Sequence, residues 1–277
     1  MTEATPIVLF GAAGRMGRMI LECAADAGEP YRLVAAVERP GHERLGEPLR
    51  GWSPAAPDGV ILTDAPPLSV PPGTVGIDFS TAEGAEAHAE WAVAARAGLV
   101  IGTTGLGEAD RRAIQTRADA TAILISPNMS VGVNVLFEIA DRVARLLGPD
   151  FDVEVMETHH RFKHDAPSGT AIRLVEILRQ TRGFPPEAVR HGRQGLLGER
   201  PAGEIGVHAL RGGDVVGDHT VVFAALGERL ELTHRAHTRQ TFARGALRAA
   251  RWLSGRAPGL YCMKDVLNLV DLPPIPR

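Results

Sequence analysis

Short apolar runs recur through the first half of the chain, each followed by a stretch of helical period. Ile7-Val-Leu-Phe10, within Pro6 to Phe10, is the first, and Leu33 to Val37 is the second. Between them, Met16, Met19, Ile20, Cys23, Ala24 and Ala27 mark one helical face, with Gly28 as its stop. Residues 40–72 are rich in Pro and Gly and predict loop, with one short strand around Val60 to Leu62. Val75 to Ser80 is another strand, followed by an alanine-rich helix from Ala82 to Ala97 with Gly98 at its C-terminus. Leu99 to Ile101, a helix over Glu108–Asp119 and the strand Ala122 to Ile125 complete the series. Alternating strands and helices predict a parallel, doubly wound sheet.

From Val131 the period changes. Val131 to Leu147 reads as a helix ended by Gly148-Pro149. Phe151, Val153 and Val155 then alternate with Asp152, Glu154 and Met156, as in a half-buried strand. Ala171, Leu174, Val175 and Leu178 mark the next helix, stopped by Gly183, Pro185 and Pro186. Arg190 to Gly203 is charged and Gly-rich and predicts a long mobile loop whose Arg193 and Arg200 are solvated. Ile205–Leu210, Val215–Ala224 and Arg229–His234 alternate as antiparallel strands, which with the Asp152 strand would form one mixed sheet. Such a sheet, open on one face, invites a symmetric partner. Phe242, Ala246, Ala249, Ala250 and Leu253 mark a final helix, and Lys264–Leu269 is a short segment without a clear period. The expected division is a first domain of residues 1–130 with 241–277, and a second, α+β domain of 131–240.

Every strand of the first half ends in small, polar or charged residues: Gly11 to Gly17, Glu38-Arg39, Asp78 to Thr81, Gly102 to Thr104, and Ser126 to Met129. In open parallel sheets ligands collect at those ends. Gly11-Ala12-Ala13-Gly14-Arg15-Met16-Gly17 is a glycine-rich first turn in a strand–turn–helix–strand unit, with an acid about twenty residues on. Glycines let backbone approach a pyrophosphate, and the helix start offers amides to it. Glu38 suits a ribose hydroxyl, whereas Arg15 and Arg39 would pair with a 2′-phosphate. One such turn is weak evidence; five strand ends in agreement point to a Rossmann-type dinucleotide site.

Between the Asp152 strand and its helix lies a polar loop holding His159, His160, Lys163, His164 and Asp165, then Pro167-Ser168-Gly169-Thr170. Ser168 is a helix N-cap, and Gly169 leaves the first-turn amides open to an anion. With Lys163 and His160 this makes a pocket for one or two carboxylates, leaving His159 as a titrating group. A metal is disfavoured, because Lys163 repels a cation and no cysteine completes the ligand set.

Bulk properties narrow the class. The 277 residues suffice for two domains, and a net charge of −3 leaves no basic footprint for nucleic acid. No apolar run approaches the ~20 residues that span a bilayer. The first residues show neither the cationic lead nor the apolar core of a secretory signal, and Cys23 and Cys262 build no disulfide framework. A cytosolic protein is the simplest expectation.

The residues also carry a family resemblance. Glu154-Val-Met-Glu157-Thr-His159-His160-Arg-Phe-Lys163-His-Asp165-Ala-Pro167-Ser-Gly-Thr-Ala171 is similar to the signature of the dihydrodipicolinate reductase family. Gly-Ala-Ala-Gly-Arg-Met-Gly, Gly102-Thr-Thr-Gly, Pro127-Asn-Met-Ser-Val-Gly-Val-Asn134 and Gly213-Asp-Val-Val-Gly-Asp-His219 resemble it too, so the likeness spans nearly the whole chain. It implies a cytoplasmic homotetramer that reduces a cyclic dicarboxylate imine with NADH or NADPH, on the diaminopimelate route to lysine. It further implies His159 as proton donor and Lys163 as a second donor. Substrate contacts would come from His160, Lys163, Ser168, Gly169 and Thr170. Gly11, Ala12, Ala13, Gly14, Arg15, Met16, Glu38, Arg39, Gly102, Thr103, Thr104, Ser126, Pro127, Asn128 and Met129 would hold the cofactor. Two other readings are another two-domain nicotinamide oxidoreductase, acting on an aldehyde or sugar, and a non-catalytic nucleotide sensor whose histidine loop only caps a helix.

Overall fold

Four residues, Gly11 to Gly14, separate the first strand from the first helix, and the sheet extends from that strand in both directions. The structure, a computed structural model, describes residues 4–26 and 31–269. They fall into two units: one holds the described residues up to Val131 and from Arg239 on, the other Gly132–Thr238. In chain order the elements are β1 (Thr5–Phe10), α1 (Arg15–Ala25), β2 (Tyr31–Val37), β3 (Leu62–Thr63), β4 (Val75–Asp78), α2 (Ala82–Ala95), β5 (Gly98–Ile101), α3 (Glu108–Arg117) and β6 (Ala122–Ile125). There follow α4 (Val131–Leu147), β7 (Asp152–His159), α5 (Gly169–Arg182), β8 (Val189–His191), β9 (Ile205–Arg211), β10 (Gly217–Ala225) and β11 (Glu228–Ala236). The chain returns to the first unit with α6 (Gln240–Leu253), β12 (Gly259–Tyr261) and α7 (Met263–Val266).

The first sheet has the order β12-β6-β5-β4-β1-β2-β3, and all its neighbours are parallel. Strand order reverses between β1 and β4, the topological switch point where such sheets take ligands. Both faces of β1 are buried, which accounts for an apolar run without alternation. Ile20 and Leu21 of α1 and Ala246, Leu247 and Leu253 of α6 cover one face, and Ala85, Ala89 and Trp91 of α2 with Ile114 of α3 cover the other. The small residues of α6 allow a close approach: a Cβ on Gly245 would lie 1.8 Å from the Met129 carbonyl oxygen.

The second sheet is mixed, in the order β11-β10-β7-β9-β8. Val153, Val155, Val221, Phe223, Ile205 and Val207 face a core completed by Phe137 and Ala140 of α4 and Leu174 and Leu178 of α5.

Several elements differ from the expectations. Gly98 opens β5, and α2 ends instead at Arg96, a non-glycine residue with φ 51°. The predicted Ala27 and Gly28 positions lie outside the described residues. β8 and β12 are strands of three residues, too short to show a period. Lys264–Leu269 includes part of α7, whose Met263 and Val266 join the core of the first unit. β10 is antiparallel to β7 and β11 as expected, but β9 is parallel to both β7 and β8.

That parallel pairing explains the 192–204 stretch, because parallel neighbours need a long connection. Its arginines are ion-paired. Arg193 bonds both Glu154 oxygens at 2.9 and 2.7 Å and Glu204 at 2.5 Å. Arg200 reaches Asp152 at 2.6 Å, Glu154 at 3.1 Å and the Glu204 carbonyl at 2.6 Å. Burial opposes ionisation of Glu154, yet Arg193, His208 and Arg200 bring its pKa down to about 2 from 4.5. A depressed carboxyl pKa stabilises the fold at full strength above 4.5 and loses that contribution as pH falls toward about 2. Glu154→Gln should therefore lower stability at pH 7 by at most about 3 kcal/mol, reduced by solvent screening. Urea midpoints should show the gap to the parent narrowing below pH 4.5; a gap independent of pH would remove the ionic explanation.

Candidate active site

In the first unit the sequence-predicted residues gather at the carboxyl edge of the sheet. β1 runs into Gly11, which has φ +72°. A Cβ there would lie 2.8 Å from the Phe79 carbonyl oxygen, so the β1 and β4 loops touch backbone to backbone. Gly17 is closer still, with a Cβ 2.3 Å from the Gly11 carbonyl oxygen and 2.6 Å from that of Ala12. This contact seats α1 directly behind the turn. Gly14 is the N-cap of α1 and no side chain bonds the first turn, so its amides remain available to an anion. Gly14 and Arg15 are exposed and Met16 half-buried.

Glu38, at the end of β2, comes beside that turn. Its carboxylate accepts from the Ala13 amide at 3.2 Å and the Arg39 amide at 3.1 Å, and the Arg39 side chain is exposed. Gly102, after β5, makes room for the Phe79 ring, which a Cβ would approach to 2.3 Å. Thr103 is buried and Thr104 exposed. Thr103 donates its hydroxyl to Asp78 at 3.0 Å. After β6, the Ser126 hydroxyl donates to the Asn128 carbonyl at 2.9 Å, and Asn128 accepts from the Ser130 amide at 2.8 Å; Met129 is buried. Pro127 is exposed between them.

Sequence reasoning placed the Asp78–Thr81 loop at a strand end without singling out its residues. Phe79 fills the space between Gly11 and Gly102, and Asp78, fully buried, ties its own loop to α2 and to the loop after β5. It accepts from Ser80 through amide (2.8 Å) and hydroxyl (2.6 Å), pairs with His88 at 2.9 Å, and holds Thr103. Burial raises its pKa, but His88 and then Ser80 outweigh it and hold the carboxyl below its ordinary value.

In the second unit the expected loop starts later than predicted. His159 is the last residue of β7, not part of the loop, and its side chain points inward in register with Val153, Val155 and Glu157. Glu157, fully buried as a side chain, is the centre of the site. Arg211 of β9 binds it through both terminal nitrogens, at 2.9 and 2.8 Å, while the Ser168 amide donates to it at 3.1 Å. His159 Nδ1 lies 2.5 Å from its other face. Burial pushes the Glu157 carboxyl up; Arg211 and then His159 more than offset this and keep it below the ordinary range. For His159, burial lowers the pKa, Glu157 opposes that, and Lys163 and Arg211 add to the fall.

Ser168 caps α5 as expected, accepting from the Ala171 amide at 3.2 Å, and its buried hydroxyl also lies 3.0 Å from His219 Nε2. His219 stands edge-on to His159, with ring centroids 5.1 Å apart, and burial followed by the His159 charge pushes its pKa down to about 3 against the opposing pull of Glu157. Gly169 opens the helix on unfilled space and Thr170 follows it, half-buried. Lys163 reaches both oxygens of Asp165 at 2.8 Å. His160 Nδ1 is buried without a partner. Glu157, Arg211 and His219 were not among the predicted residues. The signal for Glu157 was the strand's own alternation, which carried two residues further puts a carboxylate on the apolar face.

A glycine-rich turn at the switch point of a parallel sheet, and in a separate unit a basic, histidine-bearing helix start, define the class: a nicotinamide-dependent oxidoreductase built on a Rossmann unit and an α+β unit. Comparison with known proteins makes this particular. The family model described as dihydrodipicolinate reductase, N-terminus, matches residues 5–129, and that described as dihydrodipicolinate reductase, C-terminus, matches 132–267. The chain belongs to the dihydrodipicolinate reductase family, and its activity is the reduction of 4-hydroxy-tetrahydrodipicolinate in the diaminopimelate route to lysine. It is 49% identical to 4-hydroxy-tetrahydrodipicolinate reductase of Myxococcus xanthus (strain DK1622) over 263 residues, 94% of this chain and 97% of the relative. It is 47% identical to that of Anaeromyxobacter dehalogenans (strain 2CP-C) over 266 residues, 96% and 98% of the two chains. Among solved structures it is similar in fold to the dipicolinate-bound dihydrodipicolinate reductase from Paenisporosarcina sp. TG-14, with a TM-score of 0.72 at 23% identity over 94% of this chain and 97% of the other. Among the described residues no helix is long and apolar enough to cross a membrane.

Proposed function

We propose that the first unit binds either NADH or NADPH and the second binds the cyclic dicarboxylate, with His159 delivering the proton that completes reduction. The observation that carries this reading is that His159 at the end of β7, Lys163 on the loop after it and the uncrowded start of α5 lie within one strand–loop–helix segment, backed by a buried carboxylate. The uncapped start of α1 fits a pyrophosphate, with Gly11 to Met16 around it. Glu38 would accept from the ribose, and Gly102 to Thr104 and Ser126 to Met129 would line the rest. A bound nicotinamide supplies the hydride.

The chain supplies binding and the proton. A carboxylate of the substrate lies against the Gly169 and Thr170 amides, Ser168 and His160, and Lys163 neutralises charge on the ring. Histidine titrates near neutrality, which suits it to give a proton at physiological pH. Its Nδ1 is turned to Glu157, and Nε2 is bordered by Gly217, where a Cβ would come within 3.0 Å. We propose a cytoplasmic homotetramer in which the second sheets associate, supported by Met156 and Leu210, 40% and 50% exposed on the sheet face opposite α4 and α5.

The test is a crystal structure with NADH and pyridine-2,6-dicarboxylate. The expected result places the ligand's carboxylates on Lys163 and the start of α5; a ligand lodged elsewhere sinks the assignment. Cofactor choice has its own test. Glu38 beside an exposed Arg39 accommodates both dinucleotides, so Arg39→Ala should raise KM for NADPH by about tenfold, the ~1.4 kcal/mol of one charge-assisted contact, and spare NADH. Equal effects on both would end the phosphate role of Arg39.

A further inference from the structure

We infer that Glu157, clamped by Arg211, is the positioning residue of His159: it fixes the ring and holds a proton on Nδ1, so that Nε2 is the atom presented to the substrate. This deepens the proposed function and rests on the reading of His159 as proton donor.

The geometry leaves Glu157 little freedom. Its side chain is fully buried and receives four bonds, two from Arg211, one from the Ser168 amide and one from His159. Arg211 is itself tied down, donating to the Asp165 carbonyl at 2.7 Å. An ionised carboxylate only accepts, so the His159 nitrogen facing it carries the hydrogen in either charge state of the ring. The neutral ring is then the Nδ1–H tautomer, and the proton that comes and goes does so at Nε2. The His219 ring, edge-on and itself bonded to Ser168, braces the other side. This is the logic by which a carboxylate behind a histidine selects its tautomer and supports the imidazolium.

The charged and titratable groups around His159 come from every neighbouring element. Glu157 lies on its own strand, Arg211 on β9, Lys163 with its partner Asp165 on the loop, and His219 on β10, with His234 of β11 beyond it. Glu157 alone among those acting on His159 favours the charged ring, whereas Lys163 and Arg211 disfavour it. Removing the Glu157 charge and removing the Arg211 charge should therefore act in opposite directions.

The experiment measures the pH dependence of kcat/KM for the full chain, with Glu157→Gln and Arg211→Gln beside the parent. The same three proteins, labelled with 15N-histidine and free of ligands, are titrated by NMR, with His159→Gln identifying the resonances. Glu157→Gln should move the alkaline fall in rate to lower pH by about 1–3 units, as expected for losing an opposite charge within ~4–6 Å. Arg211→Gln should move it to higher pH, and the Nδ1–H pattern of the parent should vanish in Glu157→Gln. Should Glu157→Gln fail to fold, Glu157→Asp replaces it: retained charge should keep the alkaline limb in place while the rate falls. Uniform loss of rate at every pH, with unmoved limbs and unchanged nitrogen shifts, would overturn the inference. Nitrogen shifts that move oppositely in the two variants while the rate limb stays fixed would uphold the positioning role and remove His159 as proton donor.

Discussion

His159→Ala is expected to lower kcat by about 10²–10⁴, the range typical for loss of a positioned general acid. Lys163→Ala should fall in the same range, since in the proposed reading the ammonium compensates charge that develops as the ring is reduced. His160→Ala should chiefly raise KM, because the proposed binding mode gives its imidazole a substrate carboxylate to contact. The fold should survive the first change: without the His159 ring, Glu157 retains both Arg211 bonds and the Ser168 amide, so no buried charge is orphaned. Loss of Lys163 frees only Asp165, which is exposed. Steady-state kinetics for the three variants, with thermal melts beside them, check the split. An unchanged kcat in both His159→Ala and Lys163→Ala would remove the chemical assignment entirely.

The second large effect is expected from one methyl group. In Gly17→Ala the added carbon meets two backbone oxygens, those of Gly11 and Ala12, at 2.3 and 2.6 Å. Neither is the end of a flexible side chain, so α1 must move away from the turn it seats. Overpacking of this kind costs about 1–3 kcal/mol. The displaced first-turn amides should bind a pyrophosphate more weakly, by about tenfold if ~1.4 kcal/mol of contact is lost. NADH fluorescence titration without substrate isolates this from catalysis, and calorimetry reads the stability. Tight binding in a destabilised protein would show that the close helix–turn contact matters to folding but not to the cofactor.

Much of this arrangement is legible in the sequence, and the exceptions have physical causes. The parallel sheet declares itself because buried strands such as Ile7 to Phe10 are apolar on both faces and alternate with helices. The strand-end loops follow from that topology. Strand direction does not: alternation in Ile205–Leu210 is the same for a parallel or an antiparallel neighbour, and the long 192–204 connection that parallel pairing requires read only as a loop. β8 and β12 are too short to have a period. In the site, Ser168 was readable as a cap because that role is local. Arg211 and His219 lie 54 residues from Glu157 and 51 from Ser168, respectively, so no spacing rule could bring them there. Asp78 was read as part of a polar strand end, but its partners were not legible for the same reason, since His88 and Thr103 approach it from different elements.

The pairing of Lys163 with Asp165 changes what recognition means in this pocket. Under the proposed binding mode, an arriving dianion does not meet a bare cation; it displaces a resident anion, and the ammonium is neutralised before and after. The gain is the difference between two salt links, which is small for any ligand that offers one acidic group and nothing more. Discrimination then passes to the second acid group and to the helix start that receives it, so a monoacid of the same shape has little to gain by entering.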